Sequence, residues 1–298
     1  GLSLVGSEMC IRDRFYSFLA LLIFSCTSHA VCTISCCTVS SGVITNANDS
    51  ICYTQPDYYS IKLIKLYLCT SEPTGPTSSS AANLDSCHIL ADGGATGITV
   101  TLEDTSSSTI LSGGTYSRVP DGVYTHAYIK LSNVISLKMD KEFANSSVGA
   151  TSGTGNYCAT VTGSGDEKQS SGSSVCSSSD DLTAGIWTST FTSMSGGAGD
   201  LYEVSLSDIN NEGISMNIFL TDSDSKLITL GDRDSTNYIE ATQSLVLPQV
   251  IEREKLKSVN IAIGISQGIG VWDPTSGATN KMEFSPGPFV TSVTVTNY

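Results

Sequence analysis

The sequence predicts an all-β fold, with one or more disulfide-stapled β-sandwiches behind a cysteine-rich N-terminal segment. Short runs of alternating apolar and polar residues recur along the chain, separated by turns rich in Gly, Asp and Asn. This pattern is typical of antiparallel sandwiches. Eight cysteines follow residue 30. An even number of cysteines in an exported chain indicates a disulfide framework.

The N-terminus predicts export. Residues 1–14 resemble translated sequencing-adapter read-through, and we expect them to be an assembly artefact. Residues 15–30 have the pattern of a signal peptide, because an apolar run too short to span a bilayer precedes Ser28 and Ala30, the small residues of a cleavage site. Lipidation of Cys26 is the alternative form of processing. Either route predicts a secreted, periplasmic or cell-surface protein.

Geometry narrows the pairing of the cysteines. Cys36 and Cys37 are neighbours, so their Cα atoms lie about 3.8 Å apart, closer than the usual disulfide separation of about 4.4–6.8 Å. They are therefore expected to bond to different partners. A zinc site built from Cys32, Cys36, Cys37 and Cys52 is the alternative, and it has half of the usual spacing motif. The predicted bridges are Cys69–Cys87 and Cys158–Cys176, with Cys32, Cys36, Cys37 and Cys52 paired among themselves.

The composition changes along the chain and suggests a division into segments. The boundaries follow the cysteine-rich start, the alternating runs and a stretch dominated by Ser and Gly, which is either a linker or an ordered flap. The predicted segments are a cysteine-rich segment at 31–58, a β domain at 59–145, the Ser/Gly-rich linker or flap at 146–185 and a β domain at 186–298.

Three local patterns give more specific expectations. The apolar phase of residues 58–69 slips at Leu63–Ile64, which predicts a β-bulge. Ser132-Asn133 separates two alternating runs and predicts a hairpin turn. The charged stretch 249–257 predicts a short exposed helix.

Charge and histidine content exclude several function classes. The net charge of −14 disfavours nucleic acid and anionic membranes as partners. After the signal peptide, no apolar run reaches the length of a transmembrane span. The sequence Gly264-Ile265-Ser266-Gln267-Gly268 matches a nucleophile elbow, but no histidine follows His126 to complete a triad. We therefore expect no enzyme, and a hydrolase is kept as a lesser alternative.

Two groups of residues are candidate binding sites. Trp272 and Asp273 lie at a strand end, where an aromatic face and a carboxylate could bind a sugar ring. Two acidic turns could collect a calcium ion, although neither continues into an EF-hand. No other cofactor is expected. The calcium candidates are Asp222, Asp224, Asp232 and Asp234.

One turn carries a family resemblance. Pro120-Asp121-Gly122-Val123-Tyr124 precedes an alternating strand and resembles the P-x-G-x-Y turn of immunoglobulin-like and transthyretin-like extracellular sandwiches. The resemblance implies a tyrosine that packs over the corner of the sheet. As a whole the chain is similar to uncharacterised secreted β-sandwich-like proteins of marine bacterial metagenomes. That similarity implies no catalytic residues.

Together these patterns predict a secreted or cell-surface structural or adhesive subunit, such as a filament or appendage component. Export, disulfides and abundant strands motivate the prediction, and the last alternating run, 289–296, could add an edge strand to a neighbouring subunit. The expected partner is then a second copy of the chain. The alternative is an extracellular module that binds carbohydrate or another ligand, with a surface glycan as its partner.

Overall fold

The computed structural model describes most of the chain after the N-terminal segment. The expectations for the artefact at 1–14, the signal peptide at 15–30, the lipid anchor at Cys26 and a bridge from Cys32 lie outside the described residues. The described ranges are 36–45, 51–103, 115–166, 173–196, 199–209, 214–252, 254–273 and 281–297.

The all-β prediction is confirmed. The largest sheet has the strand order β12-β14-β9-β4-β8-β19-β18-β17, with β5 and β6 also paired to β4 and with β7 paired to β5. Its strands are β4 (Tyr58–Cys69), β5 (Cys87–Asp92), β6 (Ile98–Glu103), β7 (Thr115–Tyr116), β8 (Gly122–Ser132), β9 (Val134–Lys138), β12 (Gly163–Asp166), β14 (Trp187–Thr190), β17 (Glu203–Ile209), β18 (Ile214–Thr221) and β19 (Tyr238–Ile251).

Smaller sheets contain the remaining described strands. They have the orders β1-β2-β10-β11-β13, β22-β21-β3, β20-β23 and β15-β16. Their strands are β1 (Val39–Ser40), β2 (Val43–Ile44), β3 (Cys52–Thr54), β10 (Asp140–Val148), β11 (Thr154–Thr160), β13 (Ser174–Ser177), β15 (Met194–Gly196), β16 (Gly199–Leu201), β20 (Leu256–Gly264), β21 (Ile269–Trp272), β22 (Glu283–Pro286) and β23 (Val290–Asn297).

A bulge in β4 is confirmed where the sequence predicts it. The register of β4 against β8 shifts between Leu63 and Lys65. Leu63 and Ile64 are consequently both buried although they are adjacent in the chain. Since successive strand residues face opposite sides of a sheet, the extra residue moves Lys65 and Tyr67 from the core face to the other face.

The predicted hairpin at Ser132-Asn133 is wrong. Strands β8 and β9 both pair antiparallel with β4, so the chain continues along the same neighbour instead of reversing. The Asn133 side chain donates hydrogen bonds to the carbonyls of Phe191, at 3.1 Å, and Thr236, at 2.9 Å. These bonds to distant segments outweigh the local turn preference.

The predicted helix at 249–257 is also wrong. Its first part belongs to β19, in which Val250 pairs with Val123 and Ile251 is fully buried. Its last part begins β20, and the Lys255 amide donates to the Glu252 carbonyl in the turn between the two strands. Pairing and burial override the helix preference of the charged residues.

The segment 146–185 contributes strands of its own to two sheets, β11 and β13 to one and β12 to the other. The segments on either side of it also share a sheet, because β8 pairs along most of its length with β19. The described residues from Cys36 onward belong to one compact unit. The two suggested β regions therefore share one sheet.

Buried tyrosines connect elements that are distant in the chain. Tyr59 is fully buried in β4, and its hydroxyl donates to the Gly287 carbonyl at 3.1 Å. Tyr124 is also fully buried, and its hydroxyl donates to the Pro120 carbonyl at 2.8 Å. This bond closes the turn that carries the sequence resemblance, while a specific immunoglobulin-like or transthyretin-like topology stays a prediction.

Three disulfides are present in the described residues, and both predicted local bridges are among them. Cys69 and Cys87 occupy directly opposite positions on β4 and β5. The third bridge lies within the N-terminal group of four cysteines, whose member Cys36 has its Sγ 2.9 Å from Nε2 of Gln267. The bridges are Cys37–Cys52, Cys69–Cys87 and Cys158–Cys176.

Candidate functional site

A cleft lies on one face of the largest sheet, over β4, β8 and β19. Its volume is about 460 Å³, within the range of about 300–1,000 Å³ that is usual for ligand sites. The three strands supply its polar floor, and short connecting segments supply small apolar side chains around it. The lining residues are Ile64, Lys65, Tyr67, Ala81, Ala82, Leu84, Asp92, Gly94, Ala95, Tyr128, Lys130, Ser225, Tyr238 and Glu240.

A row of four charged residues crosses the floor of the cleft. Asp92, Lys65, Lys130 and Glu240 occupy directly opposite positions on β5, β4, β8 and β19. Two lysines side by side repel each other. Each is balanced by the carboxylate on its outer side, with Lys65 Nζ 3.6 Å from Asp92 Oδ2 and Lys130 Nζ 3.2 Å from Glu240 Oε1.

Glu240 is the most deeply buried of these charges, with 2% of its surface exposed. The side chain of Lys130 is 15% exposed. The Thr221 hydroxyl donates to Glu240 Oε1 at 3.0 Å, and the Tyr128 hydroxyl donates to Oε2. A buried carboxylate is tolerated when an opposite charge and hydrogen bonds compensate for the lost hydration, and Glu240 has both.

A pair of tyrosines forms the next row of the floor. Tyr67 lies opposite Tyr128, and the two rings meet edge to face with centroids 6.1 Å apart. Burial raises the pKa of Tyr128, and the charge of Glu240 and the hydrogen bond to it raise that pKa further. Burial and the charges of Glu240 and Asp92 also raise the pKa of Tyr67. Both hydroxyls therefore stay protonated and can donate.

The Tyr67 hydroxyl differs from that of Tyr128. Tyr67 is half-buried at the cleft. Among the described residues, no protein group forms a hydrogen bond with its hydroxyl, whereas the Tyr128 hydroxyl is bound to Glu240. Tyr67 therefore presents an available donor and acceptor to the cleft.

Lys130 is held from three sides. Besides Glu240, its Nζ donates to Ser225 Oγ and lies 3.7 Å from the centre of the Tyr238 ring. The ring contact has the geometry of a cation–π interaction. Lys130 and Glu240 are thus already engaged within the protein, whereas the Lys65–Asp92 pair is about one-third exposed.

The turn that supplies Ser225 contains two of the predicted calcium ligands. The carboxylate of Asp222 accepts the backbone N–H groups of Asp224, at 2.8 Å, and Lys226, at 2.9 Å. This is an Asx-type arrangement, which shapes a turn without a metal. Ser225 lies at its apex with a φ of 62°. One function of Asp222 is therefore to position Ser225 at the cleft.

In the other acidic turn, the carboxylates of Asp232 and Asp234 have different surroundings. Asp232 accepts a hydrogen bond from the Thr229 hydroxyl at 2.9 Å, and Asp234 is exposed. Within the part of the chain that the structure describes, no group of three His, Cys, Asp or Glu residues is arranged to hold a metal. Calcium binding stays a prediction.

The predicted sugar-binding pair lies away from the cleft lining. Trp272 is half-buried on β21 and pairs with Glu283 on β22. Asp273 is 7% exposed and accepts a hydrogen bond from the Ser147 hydroxyl. The carboxylate of Asp273 therefore has a partner inside the protein, and ligand binding by this pair stays a prediction.

Sequence reasoning missed the cleft, although a signal was present. Three strands each place a tyrosine and a charged residue two positions apart, in Lys65-x-Tyr67, Tyr128-x-Lys130 and Tyr238-x-Glu240. Residues two apart on a strand share a face. The pattern therefore marks three strands with the same polar face, but it does not show that they are neighbours.

Comparison with known proteins finds no matching family model, no matching curated protein and no matching solved structure. Within the described ranges, no helix is long and apolar enough to cross a membrane. Function therefore has to be argued from the cleft and from the exposed surface.

Replacing Tyr128 by Phe tests the floor of the cleft. The pKa of Tyr128 is higher in the folded protein than in the unfolded chain. The contribution of Tyr128 to the free energy of unfolding should therefore be fully present below pH 10 and be lost as pH rises above it. The variant should lose about 1.5–3 kcal/mol at pH 7, from the lost bond to a charged group. Its further decline above pH 10 should be shallower. Urea unfolding between pH 7 and 11 measures both effects.

The control is Tyr58→Phe, a half-buried tyrosine on β4 that does not line the cleft. At pH 7 it should change stability by less than about 0.5 kcal/mol. An alkaline decline of Tyr128→Phe as steep as that of the wild type would refute the placement of the Tyr128 hydroxyl beside Glu240.

Proposed function

We propose that the protein is an extracellular binding module that holds a small polar ligand in the cleft over β4, β8 and β19. The observation that carries the proposal is the convergence on one concave surface of a charged row and the Tyr67 hydroxyl, which has no partner among the described residues. Three disulfides support the extracellular setting.

The energetics of the row favour a role other than stability. A buried ion pair contributes little net stability, because desolvation offsets most of the attraction between the charges. The Lys130–Glu240 pair is nevertheless kept largely out of solvent, with side chains that are 15% and 2% exposed. Charged groups kept at such a site are typical of ligand recognition, in which a few polar groups fix orientation within a mostly apolar pocket.

The proposal is binding without catalysis. Both oxygens of Glu240 are engaged by side chains of the protein, and Lys130 has three partners. A general acid or base must be able to reach the proton that it transfers. The groups of the cleft that remain available for a ligand are the Tyr67 hydroxyl and the outer Lys65–Asp92 pair, which is about one-third exposed.

Blocking the cleft tests the proposal. The full chain is screened by thermal shift against sugars, amino acids, carboxylates and amines, and hits are measured by calorimetry. A ligand at 100 times its Kd should stabilise the protein by about 2.7 kcal/mol. Ala81→Trp should abolish binding, because Ala81 is an exposed residue on the cleft lining and the indole would fill the space.

The matched control is Ser78→Trp, an exposed position in the same connection that does not line the cleft. It should bind as the wild type does. Failure of every compound class to stabilise the chain, or unchanged binding by Ala81→Trp, would contradict the proposed function.

A second proposal is a structural or adhesive subunit, and one observation favours it. An aliphatic patch formed by Val123, Val246, Leu247 and Val250 is exposed, with Leu247 68% accessible. Residues 245–248 bulge out of the pairing between β19 and β8. The Gln249 side chain donates to the Leu247 carbonyl at 2.9 Å and fixes the bulge. Exposed apolar clusters of this kind are typical of interaction surfaces.

The last strand offers less support for the subunit. β23 pairs along its length with β20 of the same chain. The Gln243 side chain binds both the N–H and the carbonyl of Thr291, as a neighbouring strand would. Strand addition to a neighbouring subunit through residues 289–296 stays a proposal. The aliphatic patch is the observation that supports a structural or adhesive subunit.

Sedimentation velocity over a range of concentrations tests the structural alternative. The wild type should associate as concentration rises, and Leu247→Asp should stay monomeric because a charge would be buried in the contact. Leu230→Asp is the control, since Leu230 is 71% exposed and lies outside the patch. A wild type that stays monomeric at every concentration would refute the subunit.

A further inference from the structure

We infer that the ligand of the cleft is an uncharged pyranose sugar, bound by its hydroxyls at the outer Lys65–Asp92 pair and by its C–H face beside Tyr67. The inference rests on the proposed binding function and names the ligand class. It follows from the charge balance of the row, the exposed donor and acceptor at its outer end and the apolar surround.

The charges of the row cancel. Two lysines face two carboxylates, and each lysine already lies within 4 Å of its carboxylate. An added anion would be attracted by the two lysines but repelled by Asp92 and Glu240. An added cation would be attracted by the two carboxylates but repelled by the lysines. A neutral ligand can form hydrogen bonds with the exposed Lys65–Asp92 pair without leaving any charge unbalanced.

The exposed end of the row suits hydroxyls. There a donor, Lys65, and an acceptor, Asp92, lie side by side on neighbouring strands. Neighbouring strands are about 4.8 Å apart. A hydroxyl both donates and accepts. Adjacent hydroxyls of a sugar can therefore accept from the Lys65 ammonium and donate to the Asp92 carboxylate, and hydrogen bonds to charged groups are the stronger ones.

The surround suits the apolar face of a sugar ring. Tyr67 is half-buried, and its hydroxyl has no partner among the described residues. Ala81, Ala82 and Leu84 line the cleft with small aliphatic groups. An amphipathic aromatic residue with an open hydroxyl can contact C–H groups and also donate to a ring substituent.

The aromatic residues of the cleft disfavour an organic cation. Recognition of a quaternary ammonium uses open aromatic faces. The ring of Tyr238 is already covered by Lys130 at 3.7 Å. Tyr128 is 1% exposed, and its ring meets Tyr67. The described lining residues therefore form no aromatic cage, and Tyr67 is the aromatic side chain among them that is open to a ligand.

Matched sugars test the inference. Methyl glycosides of neutral hexoses are titrated into the full chain by calorimetry, beside glucuronic acid and glucosamine, which carry a carboxylate and an ammonium on the same ring. At least one neutral glycoside should bind. The two charged analogues should bind at least 10-fold more weakly than the neutral parent.

Variants of Tyr67 locate the binding. Tyr67→Phe should weaken it about 3- to 10-fold, the loss of one hydrogen bond, and Tyr67→Ala should weaken it more. Tyr58→Phe, on the same strand but outside the cleft lining, should bind as the wild type does.

The outcomes separate the two levels of the proposal. Tighter binding of glucuronic acid or glucosamine than of the neutral glycosides would overturn the sugar assignment and leave the binding function in place. Neutral binding that Tyr67→Ala leaves unchanged would overturn the assignment to this cleft. Absence of binding by every sugar, charged or neutral, would overturn the sugar assignment, whereas the proposed function fails only if the amino acids, carboxylates and amines of the wider screen also do not bind.

Discussion

The burial of Glu240 constrains more of this structure than any other single feature. A carboxylate that is 2% exposed needs compensation, and it comes from Lys130 on β8, Tyr128 on β8 and Thr221 on β18. These partners lie on the two strands that flank β19. Compensating one charge therefore specifies the register of three strands and places the floor of the cleft.

The bulge in β4 is the second constraint, and it acts through side-chain phase. Without the extra residue at Leu63–Ile64, Lys65 and Tyr67 would share the phase of Tyr59 and Leu63 and face the core. With it, Lys65 faces the cleft beside Lys130, and Asp92 compensates its charge. The Tyr67 hydroxyl then becomes the open group of the site. One local irregularity thus creates half of the proposed site.

Sequence alone predicts what depends on neighbours in the chain. Alternation in residues 58–69 revealed both the strand and its bulge, and two local bridges followed from cysteine spacing. The hairpin at Ser132-Asn133 and the helix at 249–257 were wrong because distant partners decide those segments. The cleft was missed for the same reason. Lys65, Lys130 and Glu240 become neighbours only through long-range strand pairing.

A double-mutant cycle on Lys130 and Glu240 tests this account most directly. Lys130→Met, Glu240→Gln and the double variant are unfolded in urea at pH 7. Each single substitution should cost about 2–5 kcal/mol, because it leaves a buried partner uncompensated. The double variant should cost at least about 1.5 kcal/mol less than the sum of the two. Costs that add to within about 0.5 kcal/mol would contradict the claim that this ion pair organises the cleft.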